Sequence, residues 1–354
     1  MVKEEFTFGE LFTVDTSPQR VDELMKLVEI DLPDLHEETK RHLLKQQVEM
    51  SNLEFSKYAA GTKITDELVE ELMEDSIDTH VHGGSDPFQR RQREDEIAID
   101  ATKAKMKAVV IKNWYTPSAS RNKLVQKIVD KWAEEHEMRP VQVFGGVTLN
   151  LSVGGLNPEV VLRCLGFPRF KYVWMPTADS YYHRLITFNT KGRGIKYLRE
   201  DGKIVPELQE ILRIIADNDL ILASGFYPYR ETAPLMEEAK KLGVNRMEVI
   251  HPTLIHCKHT LTEMKQLAHE GIKIGLTGIA SVNIRFAEGI LWVLRIVKEL
   301  AEHLVLGTSS GQLQNPTHIE GMRWMVRFLL AHGITKEEII KIVKTNPAEH
   351  LGIA

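Results

Sequence analysis

The chain has 354 residues, 43% of them hydrophobic and 27% charged, with a formal net charge of −5 in which both signs are interspersed. Such a composition suits a soluble enzyme or small-molecule binding protein and argues against a nucleic-acid partner. No apolar run approaches the roughly 20 residues that a membrane span needs, so no membrane association is expected.

The opening MVKEEFTFGELF lacks a basic head followed by an apolar run, so no secretory signal is expected. Cys164 and Cys257 stand far apart and form no disulfide framework, which points to a reducing, cytoplasmic setting. Residues 1–75 read as a polar, helical extension, with helices at 35–55 and 65–75. Their apolar stripes need a surface to cover, as a packing layer, a dimer contact or a lid over a site.

From residue 76 the pattern changes. Eight short, mostly β-branched apolar runs predict strands at 76–82, 108–114, 141–150, 172–177, 220–226, 247–252, 272–277 and 304–309. Segments of helical period lie between and after them, at 94–106, 118–137, 158–165, 206–218, 232–242, 261–269, 282–300 and 318–331. Alternating strands and helices imply parallel pairing through right-handed crossovers. Eight such units predict an α/β chain whose residues 76–354 form a (β/α)8 TIM-like barrel. A doubly wound dinucleotide fold is disfavoured, because Gly83-Gly84-Ser85 after the first strand lacks the required glycine spacing. The connection 178–205 carries KGRGIKYLREDGKIV, whose Asp201-Gly202 pair suggests a hairpin excursion shaping a pocket.

The sharpest chemical signal is Ile77-Asp78-Thr79-His80-Val81-His82. Residues two apart on a strand face one way, so His80 and His82 project together into the barrel mouth. Two neutral imidazoles there can chelate one divalent metal ion, zinc first, with iron or manganese as alternatives; a satisfied structural pair is the bland reading. Lys112 ends the second strand, where a buried amine can take part in catalysis, neutralise a substrate anion, bridge metals if carbamylated, or form a simple ion pair. Arg90, Arg91 and Arg93, in DPFQRRQRED, suit a carboxylate clamp, with Arg91 taken as the candidate, although a charged helix start explains them too. Tyr181, Tyr182 and His183 follow the fourth strand, where His183 can line a substrate pocket. His256 and His259 can share a helix face beside Cys257, a cluster read as mainly structural. Trp174 and Met175 read as core filling.

IDTHVH on a first strand is similar to the metal motif that opens the amidohydrolase superfamily. DTHVHGGSDPFQRR, VVIKNWYTPSASRN, VFGGVTLNLSVGGLNP, YVWMPTAD, VIHP and LGTSSGQLQNPTHIEGM narrow the resemblance to a branch known mainly as a domain of unknown function. It covers about residues 76–354 and implies metal-dependent hydrolysis of a small molecule with an amide, lactam or ester-type bond. It also makes His251, in VIHP, the third metal candidate.

The chain departs from that pattern elsewhere. Phe226 stands where a strand-five histidine is expected, Ser309 where a strand-eight aspartate is expected, and Trp114 where relatives often carry another histidine. Phenylalanine and tryptophan cannot ligate, and a serine hydroxyl is no base near neutral pH without help. Asp179, just past strand four, is the candidate replacement carboxylate, with a loop-capping role as its alternative. Three readings stay open: a metal-dependent hydrolase, a metal-dependent lyase or decarboxylase, and a catalytically silent barrel that binds a ligand or supports a related subunit. A homo-oligomer is the expected assembly.

Overall fold

A computed structural model describes residues 64–188, 194–254, 256–277 and 290–354. Eight strands follow one another around a single sheet in chain order. They are β1 (Ile77–His82), β2 (Ala108–Lys112), β3 (Gln142–Thr148), β4 (Phe170–Trp174), β5 (Ile221–Ala223), β6 (Arg246–Ile250), β7 (Lys273–Thr277) and β8 (Leu304–Gly307). Each pairs in parallel with the next. Helices cover the outside, giving the TIM-like barrel that the repeat predicts.

The alternation along each strand builds two separate layers. On β2, Val109 and Ile111 join the core between sheet and helices, while Ala108 and Val110 fill the barrel interior. Tyr172 and Trp174 of β4 do the same for the interior, stacked with ring centres 4.9 Å apart. Trp174 is therefore interior packing as well as a wall beneath the mouth.

Several elements differ from their predicted lengths for local reasons. The fifth strand stops at Ala223. Gly225 has φ of +71°, and a Cβ there would stand 2.4 Å from the Pro176 carbonyl oxygen, so the chain must leave the ladder. The helix at 118–137 opens with a tight 3-10 turn, Ser118–Arg121, before the α-helix Asn122–Glu135. The predicted hairpin is present: Leu198 and Ile204 form an antiparallel bridge, and the Arg199 N–H donates to the Lys203 carbonyl at 2.8 Å. The predicted helix at 35–55 and the first part of that at 282–300 lie outside the described residues. The helix Asp66–Met73 is described, and it buries Val69, Leu72 and Met73 while Glu70 pairs with Arg323 of the helix His318–Ala331. The end of the N-terminal segment thus belongs to the barrel's helical coat. Among the described residues no helix is long and apolar enough to cross a membrane.

The barrel closes where β8 returns to β1. The Ser309 N–H donates to the His80 carbonyl at 2.7 Å, and the His82 N–H donates to the Ser310 carbonyl at 2.8 Å. Asp78, fully buried, ties the same seam from the helix side. Its Oδ1 accepts the His80 N–H at 3.1 Å and the Thr308 N–H at 3.0 Å, and its Oδ2 accepts the Thr308 hydroxyl at 2.6 Å. Removing that carboxylate strands three buried donors. Asp78→Ala should therefore lose about 3 kcal/mol of stability. A denaturant midpoint matching the parent's would show that the seam does not depend on this group.

Candidate active site

The imidazoles reach the mouth because β1 carries one extra residue. Asp78 pairs with Val109 and Val81 with Ile111, so three steps on β1 span two on β2. Such a bulge reverses the side on which later residues emerge. Ile77 lies in the interior, Asp78 faces the helices, and beyond the bulge Val81 joins the helix-side core. His80 and His82, flanking Val81, then share the interior side, with ring centres 5.2 Å apart. Gly307 of β8 leaves the space they need, since a Cβ there would stand 2.5 Å from the His80 Cβ. His251 approaches from the end of β6, its ring centre 4.9 Å from that of His80. It adopts a left-handed backbone, φ +48°, and shares a 2.6 Å hydrogen bond between its Nδ1 and Thr277 Oγ1. Backbone in that region costs on the order of 1–3 kcal/mol and persists where surrounding structure enforces it.

Burial sets the charge state of the cluster. His80, His82 and His251 are all held well below the usual histidine range. Loss of hydration is the main cause, followed for His80 and His251 by the Lys112 cation and for His82 by the Arg90 cation. Neutral imidazole is the form that ligates a metal. Lys112 is wholly buried, and its Nζ lies 5.2 Å from the Trp174 ring centre and 5.8 Å from that of Phe226. Desolvation lowers its amine to about 7, only partly opposed by Glu248 and Cys257.

Whether these residues suit a metal can be judged from what they leave unsatisfied. Both His80 ring nitrogens, His82 Nδ1 and Lys112 Nζ are buried without a hydrogen-bond partner. Buried polar atoms are rarely left so, and at a functional site an absent ion or ligand is an ordinary explanation. Two imidazoles sharing one tetrahedral zinc have ring centres about 5 Å apart, which matches both measured separations. As the side chains stand, no three His, Cys, Asp or Glu residues among the described ones are grouped to hold an ion. The donor chemistry and ring spacing fit, while the ring orientations would have to adjust.

Around the imidazoles the mouth is aromatic. The Trp114 ring lies 5.8 Å from His82 and 6.4 Å from Phe226, and Phe226 lies 5.3 Å from His251. His183 sits at the half-buried rim, 6.3 Å from Trp114 and 4.8 Å from His256, with its Nδ1 2.9 Å from the Ala178 carbonyl. Burial and the His183 ring lower His256 to about 4. His256 and His259 lie in the turn before the helix Leu261–His269, so they share no helix face. Cys257 is buried, and desolvation pushes its thiol up to about 12, leaving it inert.

Two sequence candidates are engaged by other partners. Asp179 is held by Arg184 on one oxygen and accepts the Leu151 N–H at 2.8 Å on the other. Arg91 is exposed, and its Nη1 donates to the Leu313 carbonyl at 3.0 Å. Its neighbour Arg90 is the one that turns inward, paired with Asp86. The sequence offers Arg90 beside Arg91 for the same clamp, and adjacent arginines at a loop end carry no periodicity to say which one turns inward. Sequence reasoning missed Glu248, which accepts the Tyr172 hydroxyl at 2.8 Å inside the barrel. Alternation with Ile250 on β6 was the available signal for that inward position.

The sequence profile of a family of unknown function (DUF6282) matches residues 75–275, more than half of the chain. No curated protein shows significant similarity. Among solved structures, an amidohydrolase from Pseudomonas aeruginosa gives a TM-score of 0.52 at 14% identity, over 80% of this chain and 97% of that one. A zinc-bound amidohydrolase from Burkholderia multivorans gives 0.50 at 11%, over 79% and 99%. The phosphotriesterase homology protein from Escherichia coli, complexed with phosphate in its active site, gives 0.51 at 10%, over 78% and 99%. At such identities the likeness is one of fold. The chain belongs to the family of unknown function DUF6282, and it folds as the barrel that amidohydrolases share.

Proposed function

We infer that this protein is a metal-dependent hydrolase of a small polar molecule with an amide, lactam or ester-type bond. One observation carries the reading: three neutral, buried imidazoles converge at the barrel mouth, and two of them hold ring nitrogens without partners. His80, His82 and His251 would hold one divalent ion, zinc first, with iron or manganese as alternatives. When bound, such an ion supplies Lewis acidity toward a carbonyl.

The chain's own residues supply the rest. Lys112, with its amine at about 7, can hold or release a proton beside the imidazoles near neutral pH. Trp114 and Phe226 exclude water and offer flat faces to an apolar part of the substrate. His183, at the rim, is placed to meet its outer end. Asp179 is engaged by Arg184 and by the Leu151 N–H, so Lys112 is the stronger acid–base candidate. A catalytically silent barrel is the second reading, favoured by Phe226 and Ser309 standing where relatives place ligands.

Metal content of the full-length protein, purified without chelators, decides between them. The parent should carry near one equivalent of divalent ion, and the His80→Ala/His82→Ala double variant should carry almost none. Equal, negligible metal in both overturns the hydrolase reading. With metal present, turnover on a panel of small amides, lactams and esters should fall at least a hundredfold in the double variant.

Lys112 gives a separate test through stability. Between pH 7 and the unfolded value near 10.5, the unfolded chain binds a proton that the folded chain does not, so stability rises with pH across that window. Lys112→Met removes this burden. The variant should be more stable than the parent by on the order of 1–4 kcal/mol at pH 7, with the gap narrowing by pH 9, and it should be inactive. A destabilised variant at pH 7 would show that Lys112 has a buried partner and no functional reason to be there.

A further inference from the structure

We propose that the mouth receives a small organic oxyanion and that Arg90 is the residue that grips it. The inference deepens the hydrolase reading, on which it rests for the site being a substrate site. The anion pocket itself stands on separate observations.

The first concerns Arg90. Its side chain is 1% exposed, in the loop that leaves β1. Its Nε donates to Asp86, while its Nη2 is buried with no acceptor. The guanidinium carbon lies 4.4 Å from the Phe88 ring centre and 5.9 Å from that of Trp114, so the planar cation is held against aromatic faces. Packing of that kind fixes the orientation of a guanidinium fork before a ligand arrives.

The second is a set of unpaired donors at the mouth, with Arg90 over the Trp114 ring and Lys112 Nζ against the Trp174 and Phe226 rings. Trp114 Nε1 and Lys112 Nζ are also buried without partners. Three N–H donors of three residue types therefore lack acceptors, and the unpartnered acceptors nearby are Asp86 Oδ1 and one lone pair on each neutral ring, His80 and His82. Asp86 Oδ1 can take Arg90 Nη2 after a modest rotation, and the imidazole lone pairs are those the proposed metal would occupy, which leaves the Trp114 and Lys112 donors unmatched in a metal-bound site. Nearby carboxylates are already engaged, Glu94 by Arg121 and Asp179 by Arg184. Each unsatisfied buried donor costs about 1–3 kcal/mol, and more when charged. A ligand that brings two or more acceptor oxygens relieves this imbalance, and one that also carries negative charge does so most strongly, because its hydrogen bonds are charge-assisted. Carboxylate and phosphate share that chemistry, and both accept a guanidinium fork.

Isothermal titration of the full chain, stripped of metal and at low ionic strength, tests the pocket with succinate and with inorganic phosphate as probes. At least one should bind saturably with millimolar or tighter affinity, and which one binds identifies the oxyanion. The charge-balanced double variant Asp86→Asn/Arg90→Gln should weaken binding at least tenfold. Trp114→Phe, which keeps an aromatic ring, should weaken it about fivefold, and the exposed Arg93→Gln should change it less than twofold. No saturable binding of either probe, or unchanged binding in Trp114→Phe and in a double variant whose near-ultraviolet circular dichroism matches the parent, overturns the proposal. Because metal is absent, the two readings fail separately. Anion binding without metal retention in the parent would overturn the hydrolase alone, and metal retention without anion binding would overturn the pocket alone.

Discussion

One inserted residue in β1 governs where the chemistry lies. Without the bulge between Asp78 and Val81, the parity set by Ile77 would send His80 and His82 toward the helices, into an apolar layer that offers two imidazoles nothing. With it, both rings enter the barrel, while Asp78, which precedes the bulge, keeps its place on the outer side. There its carboxylate ties the His80 backbone to Thr308 across the closing seam. Closure of the barrel and aim of the candidate ligands thus meet in the same short stretch of β1. Gly307 completes the arrangement, because any side chain at that point of β8 would occupy the space of His80.

Energetically the mouth works against the fold. Three imidazoles are stripped of water, a lysine is buried beside them, and two residues at strand ends, His251 and Ser309, take left-handed backbones. None of these features helps an empty barrel to fold. The remainder of the chain must offset them, and the continuous apolar layer between sheet and helices is where that stability resides. A site that stays costly in the absence of a partner is stabilised by whatever binds it, since binding to the folded state alone shifts the folding equilibrium.

Much of the fold could be read from the chain because its signals are periodic. Alternating apolar strands and amphipathic helices recur eight times, and the helices at Leu261–His269 and His318–Ala331 match their predicted limits. The convergence of His80 with His82 was legible from spacing, but the bulge was not, since no glycine or proline in IDTHVH marks it. Lys112 was legible as the last inward position of β2. Arg91 drew attention that geometry gives to Arg90, because which of two adjacent loop arginines turns inward depends on tertiary contacts with Asp86 and Phe88. Asp179 could be read as a carboxylate near the mouth. Its engagement by Arg184, five residues later, required the helix Tyr181–Phe188 to be in place.

The aromatic lining of the mouth has a physical sense of its own. Phe226 puts an apolar face against His251 and Lys112, where it offers neither acceptor nor ligand. Such a face keeps the surroundings of the buried amine dry. Lys112 is tolerable there because its amine can be neutral, whereas Arg90 cannot lose its charge and so keeps Asp86 beside it. The buried mouth thus accommodates one cation by letting it become neutral and the other by pairing it with a carboxylate.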